Sequence, residues 1–109
     1  MVKRLMVLLA LFALTTLAFA AKDNFVQVKG SDTMVNLAQA WAEAYMEENQ
    51  TEFIAVTGGG SGTGLSSLIS KTCDIAMSSR NIKEKEINLA KNKGVMPYEI
   101  KVALDGLAV

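Results

Sequence analysis

Short apolar runs, each followed by a polar loop, divide the chain after residue 24. The runs Phe25 to Lys29 and Phe53 to Thr57 are rich in β-branched and aromatic residues, which favours two β-strands. Asp74 to Met77 predicts a third, shorter strand, and Ile100 to Val109, interrupted by Asp105-Gly106, supplies material for a last one.

Between these runs, apolar residues recur at helical spacing. The first predicted helix carries an apolar and aromatic stripe that we expect to be core: Met34, Leu37, Ala38, Trp41 and Tyr45. A second helix is predicted from Leu65 onward, where Leu68 and Ile69 restart the helical period.

A third helix is predicted after Asn81, because Glu84 three residues later resembles a capping box. Gly94 is a natural residue to end this helix. Lys83, Lys85 and Glu86 are expected on its solvated face.

Strands that alternate with helices predict an α/β fold with a mostly parallel sheet, flanking helices and right-handed crossovers. The chain has 109 residues, which allows one domain of ordinary size after a leader. No internal repeat or linker interrupts it.

The first 20 residues have the pattern of an export signal. Lys3 and Arg4 form a positive start, Leu5 to Leu17 an apolar segment, and Ala18-Phe19-Ala20 a small-residue cleavage site. A retained membrane anchor is the alternative, but the apolar run is short for a span and lacks stop-transfer charges. We therefore expect a signal peptide at 1–20, a mature domain at 21–109, and a periplasmic product that is not anchored to the membrane.

Composition excludes several functions. The chain has no histidine, so imidazole-based catalysis and histidine metal sites are excluded within it, and no metal or cofactor is predicted. Its formal net charge is zero and it has no basic run, which argues against nucleic-acid binding. Cys73 is the single cysteine, so no internal disulfide forms, and we expect it to be a small buried residue.

The candidate chemistry lies in three polar loops that follow the predicted strands: Ser31 to Thr33, Gly58 to Gly64, and Ser78 to Arg80. In an open α/β sheet, ligands bind beyond the carboxyl ends of the strands. Each loop leads into a helix, and the unpaired amides and positive dipole of a helix start favour anions. Together the loops predict an oxyanion site.

The glycine loop, Gly58 to Gly64, matches neither a P-loop nor a dinucleotide-binding fingerprint. It offers the hydroxyls of Ser61 and Thr63 among glycine amides, which suits a small ligand. Its spacing alone leaves anion binding and a purely structural turn equally open.

Arg80 is the only arginine after the leader, and it stands beside two serines at a predicted strand end. A guanidinium there would suit bidentate contact with an oxyanion. The alternative is a surface ion pair with a nearby acid such as Glu84.

At these loops the sequence resembles the phosphate-binding proteins of ABC transporters, which have the type II periplasmic binding-protein fold. The matching stretches are Gly30-Ser-Asp-Thr-Met34, Gly58-Gly-Gly-Ser-Gly-Thr-Gly64, Asp74-Ile-Ala-Met-Ser-Ser-Arg80 and Ala103-Leu-Asp-Gly-Leu-Ala-Val109. They run through the whole predicted mature chain in order, and the ordered set is more specific than any single stretch.

The resemblance implies a phosphate site between two lobes. It implies that Thr33 and Ser61 bind phosphate through hydroxyl and amide, with Ser31, Gly62 and Thr63 as neighbours. Ser79 and Arg80 occupy the region where one branch of the family has an aspartate that accepts the proton of phosphate and so rejects sulfate. A related branch has the same Ser-Arg pair, and Asp32 could accept the proton instead.

The resemblance further implies that 21–109 is lobe one, ending before the hinge and the second lobe. Inorganic phosphate and the permease subunits of an ABC transporter are the implied partners. Two alternatives remain: a binding protein or sensor for another tetrahedral oxyanion, such as sulfate or molybdate, and, more remotely, a small periplasmic enzyme with Ser61 or Ser79 as nucleophile. Ser61 and Ser79 have no histidine or adjacent lysine to activate them, so no enzyme activity is expected.

Overall fold

A computed structural model describes residues 24–106 and residue 108. Its helices and strands follow in the order β1 (Phe25–Gly30), a 3-10 turn (Asp32–Met34), α1 (Val35–Glu48), β2 (Phe53–Thr57), α2 (Ser61–Ile69), β3 (Ile75–Met77) and α3 (Glu84–Asn92).

The three strands form one parallel sheet in the order β2-β1-β3. Phe25 pairs with Phe53 on one side of β1, and Val28 pairs with Ile75 on the other. The chain therefore passes through α1 to β2 on one side of β1, and then through α2 to β3 on the other side. This reversal places a topological switch point at the carboxyl end of β1, and the parallel α/β sheet predicted from the sequence is confirmed.

Most of the core lies between α2 and the sheet and extends to α3, and α1 contributes one buried residue, Ala42. Its buried apolar residues are Val28, Ala42, Leu65, Ile69, Cys73, Met77 and Ala90. Cys73 is buried, as predicted, and its thiol lies 3.7 Å from the carbonyl oxygen of Gly64. Burial, followed by the nearby charge of Asp74, raises the pKa of that thiol, which keeps it protonated and unreactive.

Gly64 allows α2 to approach the central strand closely. A Cβ at this position would collide with the carbonyl oxygen of Lys29 and lie 2.6 Å from the Cα of Gly30. Only glycine fits this contact, which fixes the first turn of α2 against the end of β1.

The prediction that the apolar stripe of α1 is core was wrong. Trp41 is 48% exposed and Tyr45 51% exposed, and Leu37 is exposed as well. These side chains line a cavity of about 980 Å³ between α1, the sheet and the segment 97–105, so the stripe faces inward without being covered by packed side chains.

The last strand predicted at 100–109 was also wrong for the residues that the structure describes. Residues 95–106 make no strand, and Ile100 and Leu104 are largely exposed. A strand is stabilised by ladder hydrogen bonds, and this segment runs beside the cavity without pairing to β3.

The start of α3 differs from the prediction, whereas its end agrees. The helix begins at Glu84 after Lys83, and Glu86 accepts the amide of Lys83 at 2.9 Å, so Asn81 and Glu84 do not form the capping box. At the end, Gly94 has φ +75° while Val95 donates to Ala90 at 2.8 Å, which is a Schellman arrangement.

The predicted signal peptide at 1–20 lies outside the described residues. Among those described, none of the helices has the length and hydropathy needed to cross a bilayer.

Candidate functional site

The three predicted loops meet at the carboxyl end of the sheet. The amide of Ser31 donates to the carbonyl of Met77 at 3.0 Å, which ties the first loop to the end of β3, where the third loop begins. The amide of Gly60 donates to the carbonyl of Gly30 at 3.0 Å, which ties the glycine loop to the end of β1, where the first loop begins. The backbone itself therefore holds the loops together around the end of β1.

In the first loop, the hydroxyls of Ser31 and Thr33 are 2.9 Å apart and hydrogen-bonded. Ser31 is only 3% exposed, whereas Thr33 is exposed. A buried serine thus orients an exposed threonine hydroxyl that remains accessible to a ligand.

The glycine loop turns sharply before α2 begins. Gly59 and Gly60 have φ of +128° and +100°, a region that residues with a Cβ rarely adopt. The amide of Gly59 donates to Oδ1 of Asp32 at 2.9 Å and the amide of Gly60 donates to the end of β1, so both amides of this turn have partners.

The first helical hydrogen bond of α2 runs from the amide of Gly64 to the carbonyl of Gly60 at 3.1 Å. The amides of Ser61, Gly62 and Thr63 precede that bond and therefore have no acceptor within the helix. Gly62 and Thr63 are exposed and Ser61 is half-buried. Three consecutive amides at a helix start have the geometry and the dipole that suit an anion.

Ser61 also connects α2 to the third loop. Its hydroxyl lies 3.1 Å from the hydroxyl of Ser79, and it accepts the amide of Ser79 at 3.1 Å. The two serines that the sequence assigned to different loops are therefore neighbours. Ser79 is exposed, so the pair lies at an open surface.

Arg80 makes a bidentate ion pair with Glu86, at 3.0 Å from Nη1 to Oε2 and 2.8 Å from Nη2 to Oε1. The structure therefore shows the ion pair with a nearby acid that was the alternative for Arg80, although the acid is Glu86 and not Glu84. The prediction that Glu86 lies on the solvated face was wrong, because its side chain is 15% exposed. Nη1 also donates to the carbonyl of Asn81 at 3.1 Å. Within the described residues, these bonds leave Nε and one N–H of Nη2 as the uncommitted donors of Arg80.

This ion pair shifts the proton equilibria of both partners. The hydrogen bonds from Arg80 and from the amide of Lys83 lower the pKa of Glu86 to about 2. The hydrogen bond to Glu86 raises the pKa of Arg80 above its ordinary value. The pair therefore stays fully charged at any physiological pH.

Three residues that shape the site were missed or misjudged from the sequence. Ser78 donates to the carbonyl of Arg80 at 2.6 Å and is 3.3 Å from its amide, so it folds the third loop back on itself. Asp32 holds Gly59, and Glu86 holds Arg80. A serine two residues before Arg80 is a known local turn signal, but nothing in the spacing marks Glu86.

The structure thus brings all seven predicted site residues to one end of the sheet: Ser31, Thr33, Ser61, Gly62, Thr63, Ser79 and Arg80. Six of them offer hydroxyls or amides, and Arg80 stands at the edge with its charge compensated by Glu86. Across the part of the chain that is described, no group of three or more acidic or cysteine residues could hold a metal ion. The arrangement is one of neutral hydrogen-bond donors suited to a small oxyanion.

The family comparison agrees with this architecture. A model described as PBP superfamily domain matches residues 15–109, and the chain belongs to this superfamily.

Several relatives and solved structures that resemble this chain are named for phosphate binding or phosphate transport. The phosphate-binding protein PstS of Pseudomonas aeruginosa is 35% identical over 73% of this chain and 25% of its own length. A possible phosphate binding protein from Planctomyces limnophilus superposes with a TM-score of 0.64 at 32% identity, over 66% of this chain and 25% of that one. A putative phosphate ABC transporter substrate-binding protein with bound phosphate, from Clostridium perfringens, gives 0.55 at 28% identity, over 65% and 28%.

This chain spans between a quarter and a third of the length of the curated relatives it matches. The similarity therefore covers one portion of those proteins.

Proposed function

We propose that this chain binds inorganic phosphate as part of the solute-binding component of an ABC transporter. The observation that carries the proposal is the group of three amides at Ser61, Gly62 and Thr63, which open α2 beside the hydroxyl of Ser79. Hydroxyls and helix-start amides are the donors that an oxyanion requires. Phosphate is chosen as the oxyanion because the relatives are named for it.

The neutral character of these donors bears on selectivity. The donors surround the oxyanion with dipoles, and Arg80 adds at most the two N–H groups that its ion pair leaves. Phosphate carries a proton near neutral pH and sulfate does not, so a hydrogen-bond acceptor in the site favours phosphate. Ser79 and Thr33 each have acceptor capacity, since a hydroxyl both donates and accepts.

The relatives that share this region are about three times as long as this chain. We propose that residues 21–109 form one lobe, and that a second lobe supplies the opposite wall of the cleft. Export by the leader at 1–20 to the periplasm, and delivery of phosphate to permease subunits, belong to the same proposal. The Clostridium perfringens neighbour, named as an ABC transporter substrate-binding protein, supports it.

Titration calorimetry on the protein from the complete reading frame tests the proposal. We expect saturable binding of phosphate with a single site, and binding of sulfate at least about a hundredfold weaker, which corresponds to about 2.7 kcal/mol. Equal affinities for the two anions would refute phosphate specificity and favour a general oxyanion receptor. Absence of binding to phosphate, sulfate and molybdate alike would refute the proposed function.

A further inference from the structure

Asp32 lies in the first loop, yet its carboxylate contacts the glycine loop. Oδ1 accepts the amide of Gly59 at 2.9 Å. A Cβ added at Gly58 would collide with the same oxygen and lie 3.3 Å from Cγ2 of Val35. The absence of a side chain at Gly58 is what lets the carboxylate reach this position.

The hydrogen bond to Asp32 occupies one of the amides of the glycine turn. Gly59 donates to Asp32 and Gly60 donates to Gly30, while Gly64 makes the first helical bond. The amides between them, those of Ser61, Gly62 and Thr63, are the ones left at the open end of α2. A turn with φ of +128° and +100° at two successive glycines has many alternative conformations, so a side-chain bond that fixes it removes that freedom.

We propose that Asp32 is a positioning residue for the anion site: its carboxylate holds the glycine loop in the conformation that presents the three amides of α2. The inference rests on the proposed phosphate site. It assigns to Asp32 a structural contact with the loop and no contact with the ligand. The competing role for this residue is acceptance of the proton of bound phosphate.

Two substitutions at Asp32 separate these roles. Asp32→Asn keeps a carbonyl oxygen that can accept the amide of Gly59, whereas Asp32→Ala removes the acceptor. With phosphate in a calorimeter, we expect Asp32→Ala to lose about tenfold in affinity, and Asp32→Asn to stay within about threefold of the unsubstituted protein. Discrimination against sulfate should be unchanged in Asp32→Asn.

Gly58→Ala provides an independent test from the other side of the contact. An added Cβ displaces the carboxylate, so this substitution alone should weaken phosphate binding by about tenfold as well. In the Asp32→Ala background the collision is gone, and Gly58→Ala should then cost less than about threefold. Such non-additivity identifies the Asp32 contact as the cause.

Asp74 is the matched control. Its Oδ2 accepts the amide of Gln27 at 2.8 Å, which is the same kind of bond at the amino end of β3, beside the middle of β1. Asp74→Ala and Asp74→Asn should leave phosphate affinity unchanged, which separates loop positioning from a general loss of stability.

Hydrogen exchange at the amide of Gly59, followed by NMR without any anion, gives a readout that does not need binding. We expect faster exchange in Asp32→Ala and protection in Asp32→Asn. If no variant binds phosphate but this pattern holds, the proposed function fails, and what stands is the contact by which Asp32 holds the glycine loop. An Asp32→Asn protein that keeps Gly59 protected yet loses phosphate affinity or accepts sulfate would overturn the inference in favour of proton acceptance.

Discussion

Ser61 is the side chain that ties α2 to the third loop, through its bonds to the hydroxyl and the amide of Ser79. Ser61→Ala removes both bonds and one donor of the proposed site. A hydrogen bond to an ionised group is worth about 1.5–3 kcal/mol, so we expect phosphate affinity to fall by about 10- to 100-fold in calorimetry. Ser66→Ala is the control, because Ser66 is exposed on the same helix. Equal losses in the two variants would contradict a role for Ser61.

The ion pair between Glu86 and Arg80 gives a pH dependence. The pKa of Glu86 falls from an ordinary value of 4.5 to about 2 in the folded protein. A lowered pKa stabilises the folded state above the unfolded value, so this contribution is complete above about pH 4.5 and is lost as the pH falls to about 2. In urea melts, the stability difference between the unsubstituted protein and Glu86→Gln should shrink across that window. A stability difference that stays constant over this pH range would contradict the prediction, and Glu84→Gln, at an exposed position in the same turn, is the control variant.

At the residue scale, the sequence predicted which side chains gather at the site but not which ones hold them. Hydroxyls after strands can be assigned because parallel strands bring their carboxyl ends to one edge. The partner of Arg80 could not be assigned, because Glu84 and Glu86 are both within reach in sequence and only the start of α3 decides between them. Whether the seven residues bind phosphate stays a prediction.

At the scale of elements, the contact between α2 and β1 depends on Gly64. Gly64→Ala places a Cβ against the backbone of Lys29 and Gly30, and overpacking of this kind costs about 1–3 kcal/mol or more. Gly62→Ala, two residues earlier on α2, meets no atom within 4 Å and should be neutral or slightly stabilising, because alanine favours helix. Urea denaturation of both variants checks this contrast. Equal stabilities would show that α2 does not approach β1 so closely.

Glycines illustrate what an element-scale prediction can and cannot reach. Gly94 was predicted as a helix end because the residue following a helix favours glycine, and its φ of +75° agrees. Gly64 belonged to a run of glycines whose spacing left a structural turn and an anion loop open. The structure gives separate roles within that run: Gly59 and Gly60 form the turn, whereas Gly64 allows the close packing.

At the scale of the whole molecule, the cavity of about 980 Å³ beside α1 limits how much the aromatic stripe contributes to stability. Truncation of a packed core tryptophan costs about 3–5 kcal/mol, and Trp41 is 48% exposed, so Trp41→Ala should cost less than about 2 kcal/mol. Met77→Ala, at a position only 3% exposed, should cost about 2–5 kcal/mol. Denaturant midpoints of both variants make the comparison. A Trp41→Ala loss as large as that of Met77→Ala would contradict the open cavity.

The parallel sheet and its helices could be predicted, because the alternation of apolar runs and helical periods is a local signal. The two features that were predicted wrongly, the burial of the α1 stripe and the last strand, depend instead on residues that are distant in sequence. Periodicity identified the apolar face of α1 but could not tell whether other side chains cover Trp41 and Tyr45. The apolar run after residue 100 has strand-like composition, but a strand also requires a neighbour with which to pair, and none pairs with it among the described residues.

We propose that the amides opening α2 are the groups that bind the anion. Amide NMR shifts followed during a titration with inorganic phosphate report on this contact residue by residue. We expect saturable shifts at Ser61, Gly62 and Thr63, while the amide of Gln27, which Asp74 accepts in the middle of β1, stays unchanged. Saturable shifts located elsewhere, with those three amides unaffected, would contradict it.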